Sequence, residues 1–310
     1  MPSTIVEQLI SPRLLALRQD LAAGASAALD AFWQTIRAQG TPLVEPCADD
    51  ADELLVTFLW RATTTTSNVV IFGAFGGLDL AVNQMTRLVD TDLWYRSYRL
   101  RNDTRATYEL APNHSLRADD FSPLRPDPLN PHTWVVPGDE VRGLSGYVAS
   151  VLELPAAPAQ PWVHRRPQVP AGQVTLHHLR SSILQNDRRV WVYTPPAQGG
   201  ENEPPGLLIL LDGFMYTHVM ATPTILDNLL AERRIPPLVA VLLESADRGR
   251  ELACSPAWLA CLTQEVVPWV RQTFGTTVDP RQTIVGGASL GGLAAAYAGL
   301  HHPELFGNIR

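Results

Sequence analysis

Residues 283–292 read Thr-Ile-Val-Gly-Gly-Ala-Ser-Leu-Gly-Gly, and this stretch decides the fold of the chain. The apolar run before the first glycine is typical of a buried strand, and the alanine-rich segment after Gly292 favours a helix. Between them, Ser289 lies in a G-x-S-x-G pattern, whose glycines tolerate the sharp turn that would project its hydroxyl above the sheet edge. We therefore predict Ser289 as the nucleophile, with a glycine-rich turn that has no chemical role as the alternative.

Two kinds of strand pattern precede this turn. Two segments alternate apolar and polar residues like a hairpin, and two are continuously apolar, as expected of strands buried on both faces. Helical patterns separate the later strands, so the order predicts an α/β-hydrolase sheet with an antiparallel start and a parallel centre. The strand segments are residues 174–179, 188–193, 207–211 and 238–243, and the helical ones are residues 224–233 and 256–274. Ser289 follows the fifth strand, after which we expect the sheet to be incomplete.

The first half of the chain has a different pattern. Apolar residues at helical spacing between Ile5 and Gln39 predict two short helices. Short β-prone runs then predict an antiparallel sandwich, at residues 53–60, 69–72, 93–98, 106–110 and 148–154. Prolines predict an irregular loop over residues 121–134 and a domain boundary within residues 155–172. We therefore expect one domain over residues 1–160 and a second over residues 173–310.

Composition excludes several classes of function. The 310 residues are 45% hydrophobic, enough for a sizeable core, and the net charge of −7 argues against a nucleic-acid surface. All 24 basic residues are arginines, so a Walker phosphate loop, a Schiff-base enzyme and a Ser-Lys dyad are excluded. The cysteines Cys47, Cys254 and Cys261 form no C-x-x-C pair, so we expect neither a disulfide framework nor a metal site. The first 40 residues show no signal-peptide or membrane-spanning pattern, which favours the cytoplasm.

Acyl transfer needs a nucleophile, a base, an orienting acid and donors for the oxyanion. The sequence predicts the Leu290 amide as one donor. It predicts the Phe214 amide, or that of Gly213, as the other, in the loop after the third strand. Asp212 in that loop is interpreted as a capping or turn residue.

The base and the acid are harder to place. After Ser289 the chain offers only His301, His302 and Glu304, at the far end of the predicted helix and out of reach of the turn. His218 is the one other histidine that we consider as a base. We therefore expect an incomplete triad, and a hydrolytic rate far below that of a complete one.

The motifs of the chain resemble those of the enterochelin esterase family. The resemblance covers most of the sequence, and the ordered run of motifs is far more specific than the turn around Ser289 alone. The motifs are Trp60-Arg61, Asp127-Pro128-Leu129-Asn130-Pro131, Arg189-Val190-Trp191-Val192-Tyr193-Thr194-Pro195, Leu210-Leu211-Asp212-Gly213, Asp227-Asn228-Leu229-Leu230, Pro236-Pro237-Leu238-Val239, Arg250-Glu251-Leu252 and Gly287-Ala288-Ser289-Leu290-Gly291-Gly292.

This resemblance implies a cytoplasmic serine hydrolase that opens the trilactone of ferric catecholate siderophores such as enterobactin. It also implies an N-terminal immunoglobulin-like sandwich that helps to cover the substrate. Iron would enter only as part of that substrate, and we expect no cofactor and no nucleic-acid or membrane partner. Because a ferric tris-catecholate is anionic, Arg248 and Arg250 are predicted to contribute to substrate binding, with solvated surface arginines as the alternative.

The chain also departs from the family pattern. Family members supply the acid and the histidine of the triad in segments after the point where this chain ends. We expect either a shortened chain or a protein that kept binding but lost catalysis. A non-catalytic siderophore- or glycan-binding protein and an acyltransferase remain the alternatives. The same ending predicts an unpaired apolar edge at residues 283–285, and hence poor solubility.

Overall fold

A computed structural model describes residues 11–63, 65–77, 79–117, 119–196 and 203–310. The chain forms two compact units, Met1–Ala159 and Gln160–Arg310, and the division falls within the proline-rich stretch of residues 155–172. The predicted helical pattern from Ile5 to Ile10 lies outside the described residues.

From residue 11 onward, the described part of the first unit begins with the helices α1 (Pro12–Ala22) and α2 (Ala28–Gln39). Ser11 caps α1 by accepting a hydrogen bond from the Leu14 amide, and Gly40 ends α2 with a positive φ of 83°. Their buried side chains pack against the strands that follow, in a cluster that includes Leu14, Leu17, Trp33, Ile36, Leu59 and Leu93.

Two antiparallel sheets of four strands complete this unit. The first contains β1 (Leu43–Pro46), β2 (Glu53–Arg61), β4 (Thr86–Arg87) and β5 (Leu93–Arg101), in the order β1-β2-β5-β4. The second contains β3 (Val69–Phe72), β6 (Arg105–Pro112), β7 (Thr133–Val136) and β8 (Tyr147–Glu153), in the order β3-β6-β8-β7. Side chains from both sheets share one core, among them Phe58 of β2 and Tyr108 of β6. The pattern did not predict β1, β4 or β7, and β7 begins inside the segment predicted as a loop.

A buried carboxylate organises the proline-rich loop of the first unit. Asp127 is 2% exposed and accepts hydrogen bonds from Thr41 Oγ1 at 2.7 Å and from the Tyr108 hydroxyl at 2.8 Å. It also accepts one from the Leu129 amide at 3.0 Å. Burial raises the pKa of this carboxyl above its usual range, although the hydrogen bonds act in the opposite direction. The loop is therefore held by a group that is costly to ionise.

The second unit is built on one mixed sheet of six strands. These are β9 (Gln173–Ser181), β10 (Asn186–Thr194), β11 (Gly206–Leu211), β12 (Leu238–Leu243), β13 (Thr283–Gly286) and β14 (Asn308–Ile309). The order across the sheet is β14-β13-β11-β12-β10-β9. Neighbours among the first four strands are parallel, whereas β10 runs antiparallel to both of its neighbours, β12 and β9. The predicted antiparallel start and parallel centre are therefore both present.

Helices cover both faces of this sheet. They are α3 (Gly213–His218), α4 (Thr222–Ala231), α5 (Arg248–Glu251), α6 (Pro256–Cys261), α7 (Val267–Phe274) and α8 (Leu290–His301), and a π-helical turn, Leu262–Val266, joins α6 to α7. One core packs α6, α7 and α8 on the sheet, and a second packs α4 on the opposite face. This accounts for the continuously apolar sequences of β11 and β12.

The predicted end of the sheet is wrong. After α8 the chain turns back, and β14 pairs with β13, so the sheet has six strands and residues 283–285 do not form an unpaired edge. Arg310 N–H donates to the Val285 carbonyl at 3.1 Å, and Gly287 N–H donates to the Arg310 carbonyl at the same distance. Val285 is fully buried. The sequence did not reveal β14 because two residues are too few to show a strand pattern. The expectation of poor solubility rested on an unpaired edge at β13, and this edge is absent because β14 pairs with it.

Among the helices of the described residues, none combines the length and the apolar character that crossing a bilayer requires.

Candidate active site

Ser289 occupies a strained position between β13 and α8. Its φ of 56° and ψ of −123° place it outside the regions that residues with a side chain usually adopt. Glycine is required at positions around it because neighbouring atoms lie too close to leave room for a Cβ. A Cβ on Gly287 would lie 2.7 Å from the Gly291 carbonyl carbon, and one on Gly291 would lie 3.2 Å from Asp212 Oδ2. The predicted strand, sharp turn and helix are therefore present, with the serine at the turn.

Three polar residues follow three neighbouring parallel strands. Asp212 follows β11, Glu244 follows β12, and Ser289 lies in the turn after β13. Because the carboxyl ends of parallel neighbours meet at one edge of a sheet, these residues share the edge where ligands of α/β proteins bind. Glu244 was not predicted as a site residue, although its position directly after a continuously apolar strand was a usable signal.

A paired arginine and carboxylate lie beside the turn. Arg248 Nε donates to Asp212 Oδ1 at 2.6 Å, and its Nη2 donates to Asp212 Oδ2 at 2.9 Å. The same Nη2 lies 3.5 Å from the Ala288 carbonyl oxygen, one residue before Ser289. The hydrogen bonds that Arg248 donates to Asp212 raise the pKa of its guanidinium above the ordinary value.

This pair bears on two predictions from the sequence. Asp212 makes no capping hydrogen bond with its side chain, and it instead holds Arg248. Arg248, predicted to meet an anionic substrate, already has a carboxylate partner in a bidentate arrangement. Arg250, on the same short helix, is exposed.

The two predicted oxyanion donors in the α3 turn differ. The Phe214 amide donates to Glu244 Oε2 at 2.7 Å, so a buried carboxylate occupies the donor that the sequence favoured. Gly213 and Leu290 are the first residues of α3 and α8, where amides have no acceptor within the helix. Gly213 also packs tightly, since a Cβ there would lie 2.3 Å from the Leu242 carbonyl oxygen. The structure therefore favours Gly213 over Phe214.

The histidines considered as a base contact aromatic rings or a carboxylate. The His218 ring packs on Phe214 and Trp191, with centroids 4.8 and 5.5 Å apart. At the far end of α8, His301 packs on Tyr297, and His302 Nδ1 lies 2.7 Å from Glu304 Oε1. Within the described residues, no hydrogen bond joins the Ser289 side chain to a histidine.

No group of three or more His, Cys, Asp or Glu side chains among the described residues is arranged to hold a metal ion. All three cysteines are free thiols, and Cys261 is buried.

A strained serine in a G-x-S-x-G turn at the carboxyl edge of a mostly parallel sheet defines an esterase domain of the α/β-hydrolase class. Two family models match the chain: "Enterochelin esterase, N-terminal" over residues 55–163 and "Putative esterase" over residues 181–310. The chain belongs to the enterochelin esterase family.

Individual relatives agree with this assignment. The iron(III) enterobactin esterase of Escherichia coli O6:H1 is 34% identical over 248 residues, which are 73% of this chain and 58% of that protein. The iron(III) enterobactin esterase of Dickeya dadantii is 30% identical, over 90% of this chain and 70% of the relative. The chain thus spans less than two thirds of the E. coli relative.

Solved structures lead to the same family. A crystal structure of the enterobactin esterase from Shigella flexneri in the presence of enterobactin superposes with a TM-score of 0.67 at 30% identity. The match covers 90% of this chain and 74% of the Shigella chain. Both units of the present structure therefore have counterparts in that protein.

Proposed function

We propose that this protein is a serine esterase that hydrolyses the lactone esters of ferric catecholate siderophores of the enterobactin type. The observation that carries the proposal is the strained Ser289 turn in a chain that belongs to this family. Relatives described as iron(III) enterobactin esterases, and a related structure determined in the presence of enterobactin, support the substrate class. Iron takes part only as a component of the substrate.

In the proposed reaction, Ser289 Oγ loses its proton and attacks a lactone carbonyl, the ring C–O bond breaks, and the released alkoxide takes up a proton. Water then hydrolyses the acyl-enzyme to a carboxylic acid and regenerates the serine hydroxyl. The Leu290 and Gly213 amides stabilise the oxyanion, and the Phe214 amide could join them only if Glu244 releases it. Arg248 acts as a positioning residue, because it neutralises Asp212 beside Gly291 and contacts the Ala288 carbonyl. The exposed Arg250 supplies the positive charge that attracts the anionic substrate.

The serine also needs a base. Since no described histidine is hydrogen-bonded to Ser289, we expect slow hydrolysis by this chain, far below the rate of a complete triad. The same observation favours a second candidate function, a siderophore-binding protein without catalysis.

Incubation with ferric enterobactin, followed by chromatography of the ring-opened products, tests both. The esterase proposal expects slow product formation that Ser289→Ala abolishes. Quenching of tryptophan fluorescence by the siderophore, without any product above the Ser289→Ala background, would instead establish the binding protein. A rate typical of a full triad would contradict the expected slow reaction.

Two finer statements belong to the same proposal. The two packed antiparallel sheets of the first unit support an immunoglobulin-like sandwich that helps to cover the substrate. Membership of the enterochelin esterase family supports a cytoplasmic location, where siderophore esters would be opened after uptake. Fractionation of cells that express the protein tests the location.

A further inference from the structure

The first unit contains a hollow whose lining residues have no role in the proposed esterase reaction. It has a volume of about 350 Å³ and lies on the face of the β3-β6-β8-β7 sheet that points away from the sandwich core. Its main lining residues are Phe72, Thr107, Glu109, Trp134, Tyr147 and Ala149.

Strand register explains how this hollow forms. Phe72 of β3 pairs with Glu109 of β6, and Trp134 of β7 pairs with Ala149 of β8. The β6–β8 ladder ends one residue before Glu109, at the pair Tyr108 and Ser150, and Glu109 and Ala149 both line the hollow. The hollow is thus lined by a phenyl ring, a carboxylate, a methyl group and an indole. The small Ala149 leaves the floor of the hollow between larger side chains.

The alternation along β6 fixes the direction of the carboxylate. Tyr108 and Leu110 belong to the sandwich core, so Glu109 between them points to the opposite face. Tyr147 lies two residues before Ala149 on β8, within diagonal reach of Trp134 across the β7–β8 pair. It is 46% exposed, so the rim of the hollow is open at that side.

Glu109 is a half-buried carboxylate without a cation. Among the described residues it makes no ion pair and no side-chain hydrogen bond, and burial alone raises its pKa. Tyr147 is close enough that the Glu109 charge, after burial, helps to raise the pKa of its hydroxyl. A carboxylate held among aromatic rings with no counter-ion is an arrangement that a bound cation would stabilise.

We propose that this hollow binds an organic ammonium ion, with Glu109 as the counter-ion and with Trp134 and Tyr147 as the aromatic surfaces. Aromatic faces attract cations, and tryptophan does so best. A ferric catecholate carries negative charge and would be repelled by Glu109, so the ligand belongs to a different chemical class from the proposed esterase substrate. The proposed ammonium site can therefore be confirmed or refuted independently of the esterase proposal.

Choline is a suitable probe, and 3,3-dimethyl-1-butanol, which replaces its nitrogen with carbon, is the matched neutral control. Both are titrated into the full chain at constant ionic strength, and binding is followed by calorimetry or ligand-observed NMR. We expect saturable choline binding in the millimolar range or tighter, and at least about tenfold weaker binding of the neutral analogue. Equal binding of the two compounds, or no binding of choline, would overturn the proposal.

Variants locate the site. Glu109→Gln and Trp134→Ala are each expected to weaken choline binding by at least about tenfold. Glu140→Gln, an exposed carboxylate of the same unit, serves as the charge-matched control and should bind choline as the wild type does. Glu109→Gln preserves size and remains informative even if Trp134→Ala unfolds, which thermal melting will reveal. Wild-type affinity in Glu109→Gln, or an equal loss in Glu140→Gln, would show that choline binds elsewhere.

Discussion

Arg248 and Asp212 form a bidentate ion pair, with Nε 2.6 Å from Oδ1, one hydrogen bond away from the backbone of the Ser289 turn. The pair places a compensated carboxylate beside Gly291, where an uncompensated one would oppose a developing oxyanion. The ion pair gives Arg248 a different role from that of the neighbouring Arg250, although the sequence predicted the same role for both.

Arg248→Gln should therefore lower the rate of ester hydrolysis mainly through kcat, by about tenfold or more, because it exposes the Asp212 charge to the site. Adding Asp212→Asn to Arg248→Gln should restore much of the loss, which kinetics of the two single variants and the double variant would measure. Arg250→Gln provides the comparison, and we expect it to raise KM with little change in kcat. If the two arginine variants behave alike, long-range attraction and not the pair is the function of Arg248.

Gly213 should not tolerate a side chain. Its Cβ would lie 2.3 Å from the Leu242 carbonyl oxygen, a backbone atom of β12 that cannot move aside without distorting the sheet. We expect Gly213→Ala to lower the free energy of unfolding by about 2 kcal/mol or more, measured by urea denaturation. Gly249→Ala is the control, since its Cβ would meet nothing closer than Asp247 Oδ1 at 3.8 Å. Equal stability of the two variants would contradict the tight packing described for α3.

Asp127 should give the first unit a characteristic pH dependence. Its folded-state pKa is raised by burial above the unfolded value of about 3.9. Its contribution to stability is therefore greatest below pH 3.9 and is lost as the pH rises through the folded-state pKa. The unfolding free energy of the wild type minus that of Asp127→Asn should therefore fall as the pH rises above about 4.

Asp119 supplies a comparison of opposite sign. The hydrogen bond from Arg117 lowers its pKa, so its contribution is present above the unfolded pKa and is lost as the pH falls. The difference between wild type and Asp119→Asn should rise with pH, by a small amount because the pair is exposed. Slopes of the same sign for both aspartates would be inconsistent with the buried network around Asp127.

The sequence was sufficient for features that depend on local pattern. The continuously apolar segments of β11 and β12, together with the alternation in β9 and β10, predicted the sheet on which Ser289 lies. Spacing of glycines predicted the strained turn, because few residue types other than glycine fit that backbone.

Other features depend on which distant residues meet, and local pattern does not encode that. The pairing of β14 with β13 involves two residues that show no periodicity of their own. The Phe214 amide was predicted to be free because nothing in its own loop occupies it. The acceptor, Glu244, is 30 residues away in sequence. Asp212 and Arg248 are separated by 36 residues, so only the folded sheet edge brings them together.

The positive φ of Ser289 lowers the stability of the protein at the residue that the proposed reaction needs. A residue with a side chain at φ 56° and ψ −123° stores about 1–3 kcal/mol of conformational energy, whereas glycine accommodates these angles without strain. Ser289→Gly should therefore raise the free energy of unfolding by about 1 kcal/mol, after the greater flexibility of unfolded glycine is subtracted. Ser289→Ala should give no such gain, although both variants lose the hydroxyl. Selection for stability alone would therefore replace Ser289 with glycine, whereas selection for activity retains the serine.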